Sequence, residues 1–586
     1  TGYSIDAKLV DFIEWFSSYN MVPIGLVLKM VIGGTKNFFK TKDDPIQIKK
    51  TKLKKFELNS EQLEALKFLE KVQNKFDVSV LQGTTGSGKT LVYFERIKKI
   101  VNENCQALVL LPEIFLTNDF KSRFEDFFGF EPAIWHSKIT PKNKRIIWKG
   151  LMNNKIKILV GARSALLLPF KKLGIIIVDE EHDSSYKQDE GVIYNARDMA
   201  ISRANFEKIP IHLVTSVPSI ETYNNICKKK YRHFKIVKRF NDYPLPGTKI
   251  INLNIGKMKD RFISKETIEI VKTYLQKGDQ ILFFINRRGF APYLICKKCG
   301  YKECCPNCSL YLTFHKLINK AICHHCYFEK GVKTKCKIEG NCKFVMYGPG
   351  VEKIYEEAKE IFPNKKIRIF SSDYLKTKEK TKKFFKEIND NKIDILIGTQ
   401  MISKGFNFPK LNCIVVIDAD FSGRGYDLRT TEKNIQLYHQ LSGRAGRFSS
   451  DSLIIYQTLT PQDITLNELI RNNSEKLLIN ELSIRKKNKL PPFIRLVAII
   501  ISSKEPSLSL QGATEIKNKL SNMKDLEVLG PVDSPLFKIK KNFRSRLLIR
   551  FNSRFLMQKE IIKVLNGLKI SSKIKLTVDV DPVNFA

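Results

Sequence analysis

Short apolar runs recur along this chain, separated by segments in which apolar residues repeat at helical spacing. In the first half the runs are Ala107–Leu111, Ile158–Val160, Ile175–Val178 and Ile211–Val214. Runs of this length are typical of strands buried on both faces, and the segments between them are typical of amphipathic helices. Strands that alternate with helices predict a doubly wound, largely parallel sheet. The pattern therefore predicts an α/β lobe over residues 58–240.

The same alternation repeats over residues 241–483 and predicts a second α/β lobe. Its expected strands are Gln280–Ile285, Lys343–Tyr347, Ile367–Phe370, Asp394–Ile397, Cys413–Ile417 and Leu453–Thr458. A cysteine-rich stretch, residues 293–343, falls between the first of these strands and the next. We interpret it as an insertion into the second sheet.

The two ends of the chain have other patterns. Residues 5–32 predict a helix followed by a short apolar segment, and the polar, basic residues 36–57 predict an exposed linker. Residues 484–586 carry basic strands of antiparallel type, which predict a small α+β domain. The overall prediction is an α/β protein of two lobes, with an insertion in the second lobe and a small C-terminal domain.

No apolar run reaches the roughly eighteen residues that a membrane-spanning helix needs. The segment Ile24–Gly33 is shorter and is interrupted by Lys29, and the N-terminus does not resemble a secretory signal. We therefore expect a cytoplasmic protein with no membrane partner. The chain opens on Thr1 rather than Met, so the sequence leaves open whether the natural N-terminus is included.

A phosphate-binding loop lies near the start of the first lobe. The motif G-x-x-x-x-G-K-[ST] is matched by Gly83, Thr84, Thr85, Gly86, Ser87, Gly88, Lys89 and Thr90. Its glycines let backbone N–H groups wrap a polyphosphate, the lysine reaches the outer phosphates, and the last hydroxyl can ligate Mg²⁺. We therefore predict that this lobe binds ATP and Mg²⁺.

Two further motifs complete a nucleotide hydrolase. The strand Ile175–Val178 ends in Asp179 and Glu180, where a second metal contact and a water-orienting base belong. In the second lobe, Arg444 and Arg447 stand among small residues that permit close approach to phosphate. Such an arginine stabilises the transferred phosphoryl group only when the lobes close, which couples hydrolysis to a change of shape. We predict these residues, with Lys89, as the catalytic set.

The charge points to nucleic acid. The 586 residues include 101 Lys and Arg against 60 Asp and Glu, a net charge of +41. An excess of this size favours a polyanionic partner. The alternative is that lysine is abundant throughout for reasons unrelated to binding, and the charge alone does not separate the two.

Cysteine spacing indicates metal. Nine of the 12 cysteines lie between Cys296 and Cys342, and eight of them form pairs. The pairs are Cys296 and Cys299, Cys305 and Cys308, Cys323 and Cys326, and Cys336 and Cys342. A C-x-x-C pair provides half of a tetrahedral Zn²⁺ shell, so four pairs predict two Zn²⁺ ions. A disulfide framework is the alternative, but it is typical of small secreted chains.

The motifs Asp179-Glu180-Glu181-His182 and Gln440-x-x-Gly443-Arg444-x-Gly446-Arg447 resemble those of superfamily 2 helicases, whose lobes are RecA-like. Other segments resemble one member family, the primosomal protein N-prime helicases of bacterial replication restart. They are Leu110-Leu111-Pro112-Glu113, Gly161-Ala162-Arg163-Ser164, Ser185-Tyr186-Lys187-Gln188, Asn286-Arg287-Arg288-Gly289, Gly398-Thr399-Gln400-Met401, Pro491-Pro492-Phe493 and Asp579-Val580-Asp581-Pro582. The resemblance runs from about residue 58 to the C-terminus.

The resemblance implies a monomeric, nucleoid-associated DNA helicase that moves 3′→5′, recognises stalled forks and initiates primosome assembly. Its implied partners are forked and single-stranded DNA, the single-stranded-DNA-binding protein, other primosome components and the machinery that loads the replicative helicase. It implies that Cys296, Cys299, Cys336 and Cys342 share one zinc, and that the inner two pairs share the other. Gln62 would read the adenine edge of ATP; the alternative is an exposed glutamine near a helix start.

The chain departs from the family pattern at several positions. Val217 stands where the family has a threonine, and Asn407 stands where an acidic residue is usual beside the nucleotide. Residues 1–35 resemble only the end of the family's 3′-end-binding domain, and residues 36–57 are too few for its winged helix. We expect truncation of the first domain and loss of the second; the alternative is that the sequence is incomplete and rearranged.

Candidate DNA contacts lie in both lobes and near the C-terminus. In the lobes they are Arg163, Tyr186, Lys187, Arg287, Arg288 and Lys404. The basic stretch Lys538–Arg546 is a further candidate, with a solvated hairpin as the alternative. Two rival functions stay open: another superfamily 2 DNA translocase, and a fork-binding scaffold whose ATPase has decayed.

Overall fold

Two helices precede the first lobe and pack against it. The computed structural model describes residues 5–33, 53–112, 118–239, 243–254, 261–285, 293–296, 305–306, 312–315, 320–322, 328–331, 344–347, 350–370, 378–403, 408–419, 429–447, 449–471, 473–552 and 555–583. The helices are α1 (Ala7–Asn20) and α2 (Ile24–Val31), so the predicted helix is confirmed and the apolar segment after it is helical too. Asp6 caps α1, and the helix buries Leu9, Phe12 and Phe16 on one face.

Lobe 1 is built on a seven-stranded parallel sheet. Its helices are α3 (Ser60–Glu70), α4 (Lys89–Asn102), α5 (Asn118–Phe128), α6 (Pro141–Met152), α7 (Ala196–Glu207) and α8 (Ile220–Cys227). Its strands, with a short two-stranded ribbon, are β1 (Asp77–Gly83), β2 (Gln106–Leu110), β3 (Ala133–Trp135), β4 (Ile158–Gly161), β5 (Leu173–Asp179), β6 (Lys187–Gln188), β7 (Tyr194–Asn195), β8 (Pro210–Thr215) and β9 (Arg232–Ile236). The sheet order is β3-β4-β2-β5-β8-β1-β9. All four predicted strands are confirmed, whereas β1, β3 and β9 were not predicted.

The strand order of the lobe 1 sheet brings the phosphate loop close to Asp179. Strands β1 and β5 flank β8 and run parallel to it. The carboxyl ends of parallel strands meet at one edge of the sheet. The loop after β1 and Asp179 at the end of β5 therefore share that edge.

Lobe 2 contains a six-stranded parallel sheet and an inserted antiparallel sheet. In chain order the strands are β10 (Gly247–Asn252), β11 (Gln280–Phe284), then β12 (Tyr293–Cys296), β13 (Thr313–His315), β14 (Lys320–Ile322), β15 (Glu329–Gly331) and β16 (Phe344–Tyr347) of the insertion, then β17 (Ile367–Phe370), β18 (Ile395–Gly398), β19 (Leu411–Val416) and β20 (Leu453–Thr458). The helices are α9 (Lys265–Gln276), α10 (Val351–Ile361), α11 (Lys378–Asn389), α12 (Thr430–Ser442), α13 (Ile464–Ile470) and α14 (Ser474–Lys487). The parallel order is β10-β20-β19-β11-β18-β17.

One strand assignment in lobe 2 is wrong. The run Lys343–Tyr347 was expected in the parallel sheet, but β16 pairs antiparallel with β12, with Tyr293 opposite Tyr347 and Cys296 opposite Phe344. The two strands that open and close the insertion thus join each other and form a separate sheet. The parallel sheet has β10 as its first strand instead, an edge strand in which only Ile251 is buried.

The C-terminal domain is a small α+β unit, as predicted. Its antiparallel sheet has the order β22-β23-β21-β24. The elements are β21 (Arg495–Ser503), α15 (Pro506–Leu520), β22 (Leu526–Ile539), β23 (Asn542–Phe551), α16 (Phe555–Asn566) and β24 (Lys575–Val580). In the part of the chain that the structure describes, no helix has the length and apolar character to cross a membrane.

Helix α1 joins this domain to lobe 1. The Tyr19 hydroxyl donates to Asp581 Oδ2 at 2.7 Å, and Gln558 Nε2 donates to the Tyr19 carbonyl at 2.7 Å. Met21 lies in the apolar core of the C-terminal domain. On the other side, Asn20 Nδ2 contacts the sulfur of Met199 in α7 at 3.2 Å. Helix α1 and the residue after it therefore contact both lobe 1 and the C-terminal domain.

Candidate nucleotide site between the lobes

The loop after β1 has the geometry of a phosphate cradle. Gly86 and Gly88 have φ angles of +90° and +78°, which L side chains rarely adopt. A Cβ at Gly83 would lie 2.6 Å from Ser87 Oγ and 3.2 Å from Ile236 Cβ, so a side chain there would crowd the turn. Lys89 begins α4, and the N-terminus of a helix favours negative charge. Backbone N–H groups and helix terminus together suit a polyphosphate.

Some buried polar atoms of this loop and of the neighbouring Glu180 make no hydrogen bond within the described part of the protein. Among the described residues, Thr84 Oγ1, Ser87 Oγ and Glu180 Oε2 are buried and make no hydrogen bond. Buried polar atoms are normally paired, so such atoms in a cleft indicate a place for ligand atoms or water. Lys89 Nζ donates to the carbonyls of Gly83 at 2.6 Å and Thr84 at 3.0 Å. Burial lowers the pKa of Lys89.

The two carboxylates after β5 have different environments. Asp179 accepts a hydrogen bond from the Tyr93 hydroxyl at 2.9 Å and another from the Glu180 N–H at 2.9 Å. Burial, with the neighbouring charge of Glu180, raises the pKa of Asp179 to about 7. Glu180 has φ +49°, an unusual conformation for a residue other than glycine, and such strain often occurs at functional sites.

Lobe 2 provides the opposite wall of the cleft. Arg444 and Arg447 line the same cleft, of about 450 Å³, as Lys89, Asp179 and Glu180. All five residues predicted to be catalytic therefore meet at one place. Gly443, at the start of the loop that bears the two arginines, lies against the phosphate loop. A Cβ there would be 2.3 Å from Thr85 Cβ, so this approach of the lobes requires glycine.

The lobes are also joined by a short hydrogen-bonded relay. His182 Nδ1 lies 2.7 Å from Thr215 Oγ1, which itself donates to the Val217 carbonyl at 2.9 Å. A hydroxyl that donates elsewhere accepts from the imidazole, which assigns the ring hydrogen to Nδ1. Nε2 is then an acceptor for Gln440 Nε2 of lobe 2, 2.8 Å away.

Val217 contacts lobe 2 through its apolar side chain. It is fully buried, and with Ile220 it belongs to the hydrophobic cluster that contains Leu282 and Ile414 of lobe 2. The departure from the family's threonine therefore replaces a hydroxyl with an apolar contact between the lobes. Nearby, Glu432 Oε1 of α12 accepts the Ile220 N–H at 3.0 Å.

Gln62 is fully buried rather than exposed. Its Oε1 accepts the Asn59 N–H at 3.0 Å in a capping box, and its Nε2 donates to the Ser87 carbonyl at 3.0 Å. The exposed alternative is therefore wrong. In this structure the side-chain amide holds the phosphate loop, and contact with adenine stays a prediction.

An aromatic wall of the cleft was not predicted. It consists of Phe56, Phe94, Phe120 and Phe127, together with Arg123. Phe56 stacks on Phe127 with ring centroids 5.9 Å apart, and the neighbouring Lys54 pairs with Asp126 at 2.8 Å. The end of the expected linker is thus bound to lobe 1. The density of phenylalanine between residues 120 and 130 was the signal available in the sequence.

Two expected DNA contacts are wrong for this structure. Tyr186 is 1% exposed, and its hydroxyl donates to the carbonyls of Leu110 and Asp179. Lys187 is 4% exposed, and its Nζ lies 2.6 Å from Asp579 Oδ1 and 2.7 Å from the Val580 carbonyl. Neither side chain is available to a strand. Lys187 instead links lobe 1 to the C-terminal domain.

The other candidates divide into three groups. Arg163 is half-buried and donates from Nη1 to the Lys187 carbonyl at 2.7 Å. In the C-terminal stretch Arg546 is buried, whereas Lys540 and Lys541 are exposed at the hairpin turn with φ +47° and +68°. Arg287, Arg288 and Lys404 lie outside the described residues, and so does Asn407, the departure expected beside the nucleotide.

Most of the expected zinc ligands also lie outside the described residues. These are Cys299, Cys308, Cys323, Cys326, Cys336 and Cys342. Cys296 ends β12, and Cys305 is buried. The described residues alone bring no three His, Cys, Asp or Glu side chains together as a metal site. Lys538 Nζ of the C-terminal domain donates to the Pro306 carbonyl at 3.0 Å, beside Cys305.

Comparison with known proteins identifies the domains. Residues 55–233 match the model of the type III restriction enzyme res subunit, and residues 328–449 match the helicase conserved C-terminal domain. Residues 305–330 match the PriA DNA helicase Cys-rich region, and residues 486–583 match the primosomal protein N C-terminal domain. Lobes 1 and 2 are therefore helicase lobes that use a nucleotide, and the insertion is a zinc-binding type of module.

Whole-chain relatives agree with these matches. The replication restart protein PriA of Rickettsia conorii is 38% identical over 99% of this chain and 89% of its own length. That of Haemophilus influenzae is 35% identical over 86% of this chain and 70% of its own length. That of Bacillus subtilis is 32% identical over 86% of this chain and 64% of its own length. With two helicase lobes, a nucleotide cleft between them and this similarity, the chain belongs to the replication restart protein PriA family of superfamily 2 DNA helicases.

Proposed function

We propose that this chain hydrolyses ATP to move 3′→5′ along single-stranded DNA, recognises stalled replication forks and initiates primosome assembly. The observation that carries the proposal is that Arg444 and Arg447 of lobe 2 line the same cleft as Lys89, Asp179 and Glu180 of lobe 1. A cleft completed by both lobes ties hydrolysis to their relative movement. Membership of the restart helicase family supports forked and single-stranded DNA as the track.

In this proposal each cleft residue has one task. The phosphate loop and Lys89 bind the β- and γ-phosphates. Thr90 and Asp179 would hold Mg²⁺, which neutralises charge that develops on the phosphates. Glu180 orients the attacking water, and Arg444 with Arg447 stabilises the transition state. Buried oxygens of Thr84, Ser87 and Glu180 make no hydrogen bond within the described part of the protein, which supports an occupant of high polarity.

Lys89 has to change partners when ATP binds. Its ammonium now donates to two carbonyls of its own loop. Phosphate oxygens are stronger acceptors for a charged donor than neutral carbonyls. When ATP binds, Lys89 therefore exchanges its hydrogen bonds to the loop carbonyls for a hydrogen bond to a phosphate. In this proposal Lys89 does not contact DNA, so Lys89→Ala removes only the contact with the nucleotide.

The relay through His182 offers a route from the cleft to lobe 2. Glu180 Oε2 lies 3.7 Å from His182 Nε2, which accepts from Gln440. If hydrolysis displaces the Glu180 carboxylate, the electrostatic field at the His182 imidazole changes. The strength of the hydrogen bond from Gln440 to His182, which joins the lobes, then changes too. We expect this bond to be made and broken once in each cycle.

The Cys-rich module holds two Zn²⁺ ions in the proposal. The outer cysteine pairs would share one ion, and the inner pairs would share the other. Zinc in a tetrathiolate site provides a structural cross-link. The module then helps to split the duplex or to dock primosome components, among them the single-stranded-DNA-binding protein and the helicase-loading machinery. The proposed place of action is the cytoplasmic nucleoid.

Strand displacement tests the proposal. Two partial duplexes, one with a 3′ single-stranded tail and one with a 5′ tail, are compared for the protein and for Lys89→Ala. We expect unwinding of the duplex with the 3′ tail only, loss of this unwinding in Lys89→Ala, and retained fork binding by that variant. Lys98→Ala is the matched control because Lys98 is an exposed lysine of the same helix. Unwinding of neither duplex, unwinding of the 5′-tailed duplex alone, or unwinding that survives Lys89→Ala would contradict the proposal.

A further inference from the structure

The segment that connects the two helicase lobes carries a buried arginine. Arg239 follows β9, the last strand of lobe 1, and is 6% exposed. Its guanidinium donates to four carbonyls: Ser442 at 2.9 Å, Gly446 at 2.9 Å, and Ala445 and Pro244 at 3.3 Å. Ser442 lies two residues before Arg444, and Ala445 and Gly446 lie between Arg444 and Arg447, so three of the four acceptors belong to the segment that bears these arginines.

The site that the Arg239 guanidinium occupies favours a positive charge. Ser442 is the last residue of α12, and carbonyls at the C-terminus of a helix lack partners within the helix and carry partial negative charge. The planar guanidinium can bind several carbonyls at fixed angles, which a lysine cannot do. From the other side, the Gly446 N–H donates to the Leu411 carbonyl of β19 at 3.1 Å. The loop is thus held between β19 and Arg239.

The residues just before Arg239 are attached to lobe 1. Glu61 in the first turn of α3 accepts the N–H of Val237 at 2.8 Å and the N–H of Lys238 at 3.0 Å. The next residue of α3, Gln62, donates to the Ser87 carbonyl of the phosphate loop. Within three residues the connecting segment is therefore bound first to the helix that supports the phosphate loop and then to the loop that bears the arginines.

We infer that Arg239 is a positioning residue for ATP hydrolysis: it sets the distance of the loop 443–447 from the phosphate loop and never touches the nucleotide itself. The inference rests on the proposed role of Arg444 and Arg447 in the transition state. If the segment between the lobes were not anchored, the loop 443–447 could shift relative to the phosphate loop. Because residues 237–239 bind both α3 and the loop 443–447, the distance between the two loops is the same each time the lobes close. A displacement of about 1 Å in a catalytic group can cost about 100-fold in rate.

Four variants test this inference: Arg239→Gln, Arg239→Lys, Lys238→Gln and Arg444→Gln. Lys238→Gln removes one positive charge from an exposed position of the same segment and is the matched control. Steady-state ATP hydrolysis is measured at saturating single-stranded DNA over a range of ATP, with the Kd for a fluorescent ADP and the Tm. We expect Arg239→Gln to lower kcat by about 10- to 100-fold with the Kd for ADP unchanged. Arg239→Lys should recover part of the kcat, and Lys238→Gln should match the unaltered protein.

Two results would overturn the inference. One is a kcat for Arg239→Gln equal to that of Lys238→Gln. The other is a parallel loss of kcat, ADP binding and Tm with no recovery in Arg239→Lys, which is the result of a purely structural role. If Arg239→Gln does not fold, Arg239→Lys is measured instead. A lowered kcat with an unchanged Kd for ADP then supports the inference, and an unchanged kcat or a parallel loss of both overturns it. Full hydrolysis by Arg444→Gln would instead refute the proposed function, whatever Arg239 does.

Discussion

A methyl group added at Gly443 should separate the two lobes at the nucleotide. The Cβ of Gly443→Ala would lie 2.3 Å from Thr85 Cβ and 2.5 Å from Thr85 Oγ1. Carbon atoms in contact are about 3.5–4.0 Å apart, so the deficit is roughly 1.5 Å. Rotation of the Thr85 side chain does not relieve it, because Cβ is fixed to the backbone. The loop with Arg444 and Arg447 therefore has to retreat from the phosphate loop.

The expected consequence is a loss of turnover without a loss of nucleotide binding. A shift of more than 1 Å in the transition-state arginines should lower kcat by about 100-fold. The phosphate loop belongs to lobe 1 alone, so the Kd for a fluorescent ADP should stay unchanged. The assay is DNA-stimulated ATP hydrolysis, followed by a coupled reaction at saturating ATP. Gly25→Ala is the control, since a Cβ at Gly25 meets no heavy atom within 4 Å.

A second substitution, at Thr85, tests whether the contact with Thr85 causes the loss of turnover in Gly443→Ala. Thr85→Gly removes both atoms that the new methyl would meet, and leaves Thr85 Cα 3.3 Å from it. Adding Gly443→Ala in that background should cost far less than it does alone. Full activity of the single variant, or an undiminished loss in the Thr85→Gly background, would refute the reasoning.

Three further predictions concern packing, pH and metal. Lys187→Met leaves Asp579 beside a neutral side chain and should weaken the attachment of the C-terminal domain by about 3 kcal/mol, seen as faster limited proteolysis between lobe 1 and that domain. Burial, with Arg96 nearby, lowers the pKa of His212 from 6.5 to about 3, so lobe 1 folds with a neutral imidazole while the unfolded chain binds a proton below about pH 6.5. Stability of lobe 1 should therefore fall as the pH drops from 6.5 towards 3, and His212→Leu should remove about 2 kcal/mol of that loss at pH 5. Cys305→Ser should lower the zinc content and impair unwinding more than ATP hydrolysis on single strands.

Each of these has a result that contradicts it. Unchanged proteolysis of Lys187→Met would mean that Asp579 finds solvent instead. For His212, all three tryptophans lie in α1 or lobe 1, so their fluorescence in urea at pH 5 and pH 7.5 follows the relevant unfolding. Identical pH dependence with and without the histidine would contradict the assignment. Equal loss of unwinding and hydrolysis in Cys305→Ser would mean that lobe 2 needs the module in order to fold.

Local chemistry was readable from the sequence because it depends on spacing. The phosphate loop has a fixed spacing of glycines, lysine and threonine, and the carboxylates have to follow a buried strand, so the loop around Lys89 and the strand β5 before Asp179 could be placed, whereas β1 was missed. That Arg444 and Arg447 reach the same cleft followed from the need for a cation at the phosphates. The fold and the meeting of these residues were therefore predictable.

What could not be predicted depends on contacts between distant segments. An apolar run such as Lys343–Tyr347 fits a strand in either sheet, and only its pairing with β12 assigns it to the insertion. Tyr186 and Lys187 look like DNA contacts in sequence because nothing local reveals that β24 covers Lys187. Arg239 lies in a polar segment without any motif, and three of its four acceptors, the carbonyls of Ser442, Ala445 and Gly446, lie more than two hundred residues away.

The most direct test of the account is ATP hydrolysis by the zinc-loaded protein without DNA, with single strands, and with a synthetic fork that carries a leading-strand 3′ end. The account predicts low hydrolysis alone, strong stimulation by single strands and the greatest stimulation by the fork, all abolished in Lys89→Ala. Hydrolysis that no DNA stimulates would contradict the claim that closure of the lobes on ATP drives movement along DNA.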